Sequence, residues 1–350
     1  MAQRKKIDFS SLSSSQKHEF EMNEFFSPKK MNSRKVAMSF LRSGDKKTFK
    51  KIAECGSALR FGHFSDDTNR LLHANFCKNR MCPMCSWRRS LKNFSHLSDV
   101  FSVLESTHEF VFLTLTERNC TADQLSERMT AICKNFRNWL RRDSLAVFDG
   151  CFRSLEVTYN SVDDTYHPHL HIILCCPQGS YFGTDKYIPF DKWLSEWRSV
   201  GGYDYDPSIR VNRIGEKTIY NPKSKRYVTI SLKKALKECS KYTIKDSDFL
   251  KSDVALEKQD EVIQTLYNAM DKRRLIEYYG VMKDLHKHFT DLKKSDDNDL
   301  INVSDDVANG AELEYIFVYQ WQWNQNKKHF EYVCVSNQKP KETKSDPPPI

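Results

Sequence analysis

Apolar and polar positions alternate, or recur every three to four residues, in a way that divides the chain into elements. "FVFLTLT" at 110–116 is β-branched and aromatic with no breaker, which predicts a strand. Leu125, Met129, Ile132, Phe136 and Trp139 follow at spacings of 4, 3, 4 and 3, one face of an amphipathic helix. "CFRSLEVTYN" at 151–160 predicts a second strand, "SVDD" a turn, and "HPHLHIILCC" at 167–176 a third strand. So short a connection makes the last two antiparallel. A helix is expected around Asp191 to Ser199, with further strands near Arg210 to Arg213 and Arg226 to Ile230. Ser231 is placed to cap a helix running to about Ile244. Residues 254–294 read as one long or two consecutive helices with Val262, Leu266 and Met270 on one face. After an acidic linker (Asp296, Asp297, Asp299, Asp305, Asp306), "EYIFVYQWQW" and "HFEYVCV" predict a hairpin across "NQNKK".

Composition sharpens this outline. A chain of 350 residues, 39% hydrophobic, can build two or three domains around real cores. The net charge of +9 favours a polyanionic partner. The start, "MAQRKKIDFSSLSSSQ", has no apolar stretch of the kind that targets secretion. A cytoplasmic, reducing setting is therefore expected, and there the clustered members of the eleven cysteines point to metal before disulfides. The predicted organisation is a disordered, Ser-rich segment 1–30, a basic, Cys-rich, DNA-contacting region 31–100, the strand-rich segment 101–250, a helical region 251–295 for DNA binding or assembly with Lys272, Arg273, Arg274, Lys283 and Lys287 as candidate contacts, the linker 296–310, the hairpin 311–337 and a disordered tail 338–350. No GxxxxGK[ST] phosphate loop is present in the sequence, so no NTP-driven motor is expected.

The chemistry-bearing pattern begins with three histidines. Alternate side chains of a strand share a face, so His167, His169 and His171 are co-facial while Leu170, Ile172 and Leu174 point the other way. Imidazoles two residues apart can reach one divalent ion. Glu156 on the preceding strand shares that face if the hairpin register allows, and nitrogen plus carboxylate donors suit Mn²⁺ or Mg²⁺ acting on phosphate oxygens. Downstream, Glu238 and Tyr242 stand at i and i+4 of the predicted helix, with Lys241 and Lys245 beside the tyrosine as DNA-contact candidates. A tyrosine hydroxyl can attack a phosphodiester, and a carboxylate can activate water.

Cys77, Cys82 and Cys85 are separated by four and two residues, and Cys55 lies further upstream. Three close thiols and one distant one fit a tetrahedral Zn²⁺ site, with His73 or His63 as substitutes for Cys55. Arg80, Arg88 and Arg89 around it are candidates for phosphate contact. Trp87, Cys175 and Cys176 are expected to pack rather than bind.

"FLTLT", "HPHLHIIL" and "ECSKYTIK", in that order over 110–245, together with "CKNRMCPMCSWRRS" at 77–90, resemble the rolling-circle plasmid replication initiators (Rep) of Gram-positive bacteria, within the HUH endonuclease superfamily. The resemblance implies an α+β fold: a central antiparallel sheet with the histidines on its central strand, flanked by helices, with the Cys-rich element before it and the helical and hairpin additions after it. It implies that 101–250 is a nicking domain, that His169 and His171 ligate the metal, that Tyr242 is the nucleophile and that Glu238 assists a final hydrolysis. His167 matches the leading histidine of the motif. Implied partners are origin DNA, double- and single-stranded, a host helicase and replication machinery, and further copies of the chain. The alternatives are a mobilisation relaxase or transposase of the same superfamily, or a non-catalytic zinc-dependent DNA-binding regulator.

Overall fold

The computed structural model describes residues 14–216, 219–221, 226–241, 244–251, 254–292, 299–301 and 311–339. Two compact units divide the chain: Met1–Arg88 with Asp299–Ile350, and Arg89–Asn298. Among the described residues no helix is long and apolar enough to cross a membrane.

The first unit opens with α1 (Ser14–Arg42) and α2 (Lys46–Glu54), followed by β1 (Ala58–Phe64) and β2 (Asn69–Ala74). Helix α1 corrects the expectation of disorder up to residue 30. His18, Met22, Phe26, Lys30, Ser33, Ala37 and Phe40 recur every three to four residues and are all buried, a stripe that the polar and Ser-rich average of the segment concealed. Asp45 caps α2 by accepting the Thr48 amide at 2.9 Å. The hairpin β10 (Leu313–Asn324) and β11 (His329–Gln338) forms as expected and joins β1 and β2 in an antiparallel sheet of order β11-β10-β1-β2. Asn23 of α1 bonds both the amide and the carbonyl of Tyr332 at 2.8 Å, so α1 occupies the outer edge of β11. Trp87, half-buried, packs edge-on against Phe26.

Helix α3 (Pro83–Leu104) spans the division between the units. The second unit continues with β3 (His108–Thr116), α4 (Leu125–Trp139), β4 (Gly150–Asn160), β5 (Thr165–Pro177), α5 (Phe190–Gly201), β6 (Ile209–Gly215), β7 (Ile219–Asn221) and β8 (Arg226–Ser231). Then come α6 (Leu232–Ser240), α7 (Asp246–Phe249), α8 (Leu256–Met270), β9 (Ile276–Gly280) and α9 (Val281–Leu292). Among the described residues its sheet has the order β7-β8-β6-β3-β5-β4-β9, with the histidine strand β5 between β3 and β4. The sheet is mixed rather than wholly antiparallel, because β8 lies parallel to β6. The predicted face of α4 is fully borne out: Leu125, Met129, Ile132, Phe136 and Trp139 are buried.

Two further expectations change, and the histidine face gains a feature. The helical reading of 254–294 is interrupted by β9, which pairs with β4 at the sheet edge and places Ile276, Tyr278 and Tyr279 in strand geometry suited to such residues. Helix α6 starts where predicted, with the Ser231 hydroxyl accepting from Lys234 N, but ends at Ser240; Lys241 is already extended at φ −54°, ψ 161°. Tyr242 lies outside the described residues, as do most of the acidic linker and the tail beyond residue 339. Finally, the histidine-bearing face of the sheet is apolar along half its length: Phe110, Phe112, Phe152, Ile173 and Cys175 pack there with Leu97, Leu236 and Met282. Both faces of β5 are covered, which is why the strand reads as the nearly continuous run "LHIILCC".

Candidate active site

The polar end of that face carries the chemistry. The register of β4 and β5 sets Glu156 directly opposite His169 and Ser154 opposite His171, so the carboxylate and both imidazoles project from one surface. One donor atom from each of Glu156, His169 and His171 lies within 4.8 Å of the others. His171 Nε2 is 3.0 Å and His169 Nε2 3.6 Å from Glu156 Oε2. The remaining ring nitrogens are held from behind: His169 Nδ1 donates to the His167 carbonyl at 3.1 Å, and His171 Nδ1 lies 3.2 Å from the Thr114 hydroxyl. That arrangement points both Nε2 atoms at the same spot, the orientation that metal-ligating imidazoles take from their outer partners. His171 is also stacked on Phe112.

His167 is on the same face but outside this group. Its Nδ1 contacts Asn119 Oδ1 at 2.7 Å, and burial, with His169 nearby, lowers its basicity.

Glu156 has a second partner that spacing does not reveal: Lys245 Nζ at 2.8 Å from Oε1. Burial disfavours its charge, but hydrogen bonds from His169 and His171 and the Lys245 ammonium prevail, holding the carboxyl well below the usual carboxylate range. Lys245 is correspondingly held above its ordinary value by Glu156 against the opposing effect of burial. Two more carboxylates act on this ammonium, Asp248 of α7 and Glu238 of α6. Asp248 was not legible as a site residue. Burial pushes its carboxyl up, and its Oδ2 is buried without a hydrogen-bond partner. A signal for it did exist, since "KDSD" follows the tyrosine motif directly, but only the packing of α7 on β4 brings Asp248 to the site. Glu238 is ion-paired with Lys241. Both lysines proposed as DNA contacts are thus paired with carboxylates.

The four cysteines converge as predicted. Cys55 ends α2, Cys77 follows β2, Cys82 precedes the Pro83 that starts α3, and Cys85 lies in its first turn. Their sulfurs all lie within 4.8 Å of one another, with Cys55–Cys85 at 3.4 Å and Cys77–Cys85 at 3.7 Å. A tetrahedron with ~2.3 Å Zn–S bonds places its sulfurs about 3.8 Å apart, so the donor set fits Zn²⁺. Amides of Cys77 and Lys78 donate to the sulfurs of Cys55 and Cys85. Burial resists ionisation of Cys82, yet the neighbouring thiols and the Ser33 hydroxyl outweigh it and hold this thiol well below its usual range. The buried Lys30 ammonium donates to the carbonyls of Ala53 and Cys55 at 2.7 and 2.6 Å. His63 instead contacts Asn69, and His73 is exposed, so neither replaces Cys55.

Arg88 corrects another expectation. It is buried, with its guanidinium donating to the Leu300 and Ile301 carbonyls at 2.9 Å, because it lies on the inward face of α3. It is an internal strut rather than a phosphate contact. Arg80 is exposed and Arg89 half-buried. Cys175 and Cys176 are fully buried, as expected for packing residues.

Comparison with known proteins gives a consistent picture. A family model described as "Replication protein" matches residues 68–333, a span that holds every residue of both clusters except Cys55. "Protein rep" of Bacillus amyloliquefaciens is 34% identical over 278 residues, covering 76% of this chain and 80% of that protein. "Protein rep" of Streptococcus pneumoniae is 32% identical over 284 residues, 79% of this chain and 83% of the relative. A shorter match, 35% identical over 57% of this chain, covers 82% of "Protein rep" from Staphylococcus aureus. No solved structure matches the chain. With three quarters of its length matched and its motifs inside the matched span, the chain belongs to the Rep family of plasmid replication proteins.

Proposed function

We propose that this Rep protein starts rolling-circle replication as a metal-dependent, HUH-type DNA nicking and closing enzyme that acts at the plasmid origin. The observation that carries the reading is the convergence of Glu156, His169 and His171 on adjacent strands, with Glu238 and Lys245 from the segment that also contains Tyr242. Glu156, His169 and His171 would hold Mn²⁺ or Mg²⁺, which supplies polarisation of a phosphate oxygen. Thr114 and the His167 carbonyl keep the two imidazoles aimed at that position.

Tyr242 provides the nucleophilic oxygen. A bond forms from its phenolic oxygen to phosphorus, and the bond from phosphorus to the 3′ oxygen breaks. The phenolic proton passes to the leaving oxygen, which becomes a 3′ hydroxyl able to prime synthesis. After one round a second transfer closes the circle. Glu238 takes a proton from water in the terminating hydrolysis, a cut that leaves no new adduct and therefore limits reuse of the enzyme. A host helicase supplies unwinding, in keeping with the lack of a phosphate loop in the sequence. Cys55, Cys77, Cys82 and Cys85 hold a structural Zn²⁺ in the other unit.

The test is incubation with Mn²⁺ and supercoiled plasmids that carry candidate origins. Wild type is expected to nick one of them and Tyr242→Phe to lose nicking; nicking that persists in the variant refutes the nucleophile assignment. Tight origin binding with no nicking by wild type would favour a regulator held by zinc. Glu238→Ala is expected to nick yet fail to terminate hydrolytically, and normal release of monomeric circles by it would remove Glu238 from the mechanism.

A further inference from the structure

Across the sheet from Glu156, a cavity of about 300 Å³ lies between α4, β4 and the segment that joins α8 to β9. Its wall contains four guanidinium groups, from Arg137, Arg153, Arg273 and Arg274, and a single carboxylate, Glu277. That carboxylate is already engaged. Arg153, 1% exposed, donates to Glu277 Oε2 from Nε at 3.0 Å and from Nη2 at 2.5 Å, and the Tyr279 hydroxyl donates to the same oxygen. Arg137 stands 4.0 Å from the other oxygen and is largely exposed. Arg273 is pinned by neutral acceptors: the Ala269 and Ser126 carbonyls and the hydroxyls of Thr130 and Ser126. Its position is fixed while its charge meets no carboxylate in the cavity. Four guanidinium groups thus share one carboxylate, with Arg273 and Arg274 paired to none in the lining, in a concave space large enough for one phosphate with its sugar. Planar guanidinium forks match the oxygens of phosphate, the anion that nucleic acids and nucleotides carry.

We propose that this cavity is a phosphate-binding site, separate from the Glu156 centre and independent of the nicking reading. Arg153 and Arg273 form its fixed floor, and Arg137 and Arg274 its exposed, adjustable rim. The phosphate comes from a DNA strand that passes this face or from a free nucleotide.

Calorimetric titration of the full chain with inorganic phosphate, with a nucleoside 5′-monophosphate and with a short single-stranded oligonucleotide tests this. Arg137→Gln/Arg274→Gln removes only exposed side chains, so an unchanged melting temperature is expected. Affinity for the free ligands should fall by about tenfold or more, the loss expected when charge-assisted bonds are removed. If the strand is the source, the free ligands bind weakly, and the slope of log K against log salt for the oligonucleotide should shrink by about 0.7 for each phosphate that the variant no longer neutralises. Arg137→Lys/Arg274→Lys, which keeps charge without the fork, should recover part of either effect. Nicking by the Gln variant should persist, which separates this site from the catalytic one. Binding of all three probes unchanged in the Gln variant, or by none of them to wild type, overturns the proposal.

Discussion

Acidification should loosen α1 from its sheet through one residue, His18. Its ring is buried against Phe61, Phe317 and Tyr319, with Nδ1 2.9 Å from the Tyr319 hydroxyl. Burial first, and His63 second, lower its pKa from 6.5 to about 4. In the unfolded chain it titrates at the ordinary value. Between those two values the unfolded state therefore binds more protons than the folded one, and stability falls as pH drops. From pH 7 to pH 4 the loss is about 3 kcal/mol, with roughly 2 kcal/mol gone by pH 5. Hydrogen exchange of α1 amides, followed at pH 7 and pH 5 and corrected for intrinsic rates, reads this locally. His18→Gln, which stays neutral and can still bond Tyr319, should flatten the difference. Equal pH dependence in wild type and variant would refute the reasoning, since it would mean that another group carries the effect or that α1 opens without exposing His18.

The outer partners of the site should matter nearly as much as its ligands. Thr114→Val frees His171 Nδ1 and is expected to weaken Mn²⁺ binding about tenfold or more, while Thr114→Ser keeps it; metal titration distinguishes the two. Arg153→Met strands the Glu277 carboxylate and should cost about 3 kcal/mol in urea unfolding, most of it restored when Glu277→Leu is added. Metal analysis of the purified chain should find zinc that Cys82→Ser/Cys85→Ser lacks, with earlier melting of the first unit in the variant.

Local patterns carried a large part of this protein. The 4-3-4-3 spacing of α4, the alternation of β5 and the turn between β4 and β5 are short-range features, so the chain itself declares them. The same holds for the Cys82–Cys85 pair, whose spacing is that of adjacent ligands on a helix start. Where the pattern was diluted the reading failed. The stripe of α1 hides in a polar segment, and the short β9 is flanked by helices whose periodicity masks it.

What only the tertiary structure decided is which distant groups meet. Sequence put His169 and His171 on one face, but register alone brought Glu156 opposite His169 and within reach of His171, and the packing of α6 and α7 delivered Lys245 and Asp248. The physical reason is range. Helical and strand periodicities are fixed by neighbouring dihedrals, whereas ion pairs and metal clusters join residues dozens of positions apart, and burial then decides their charge. Lys245 and Arg88 read alike in the sequence as basic DNA contacts. One pairs with the Glu156 carboxylate and the other bonds the Leu300 and Ile301 carbonyls, because the fold placed one beside Glu156 and the other inside.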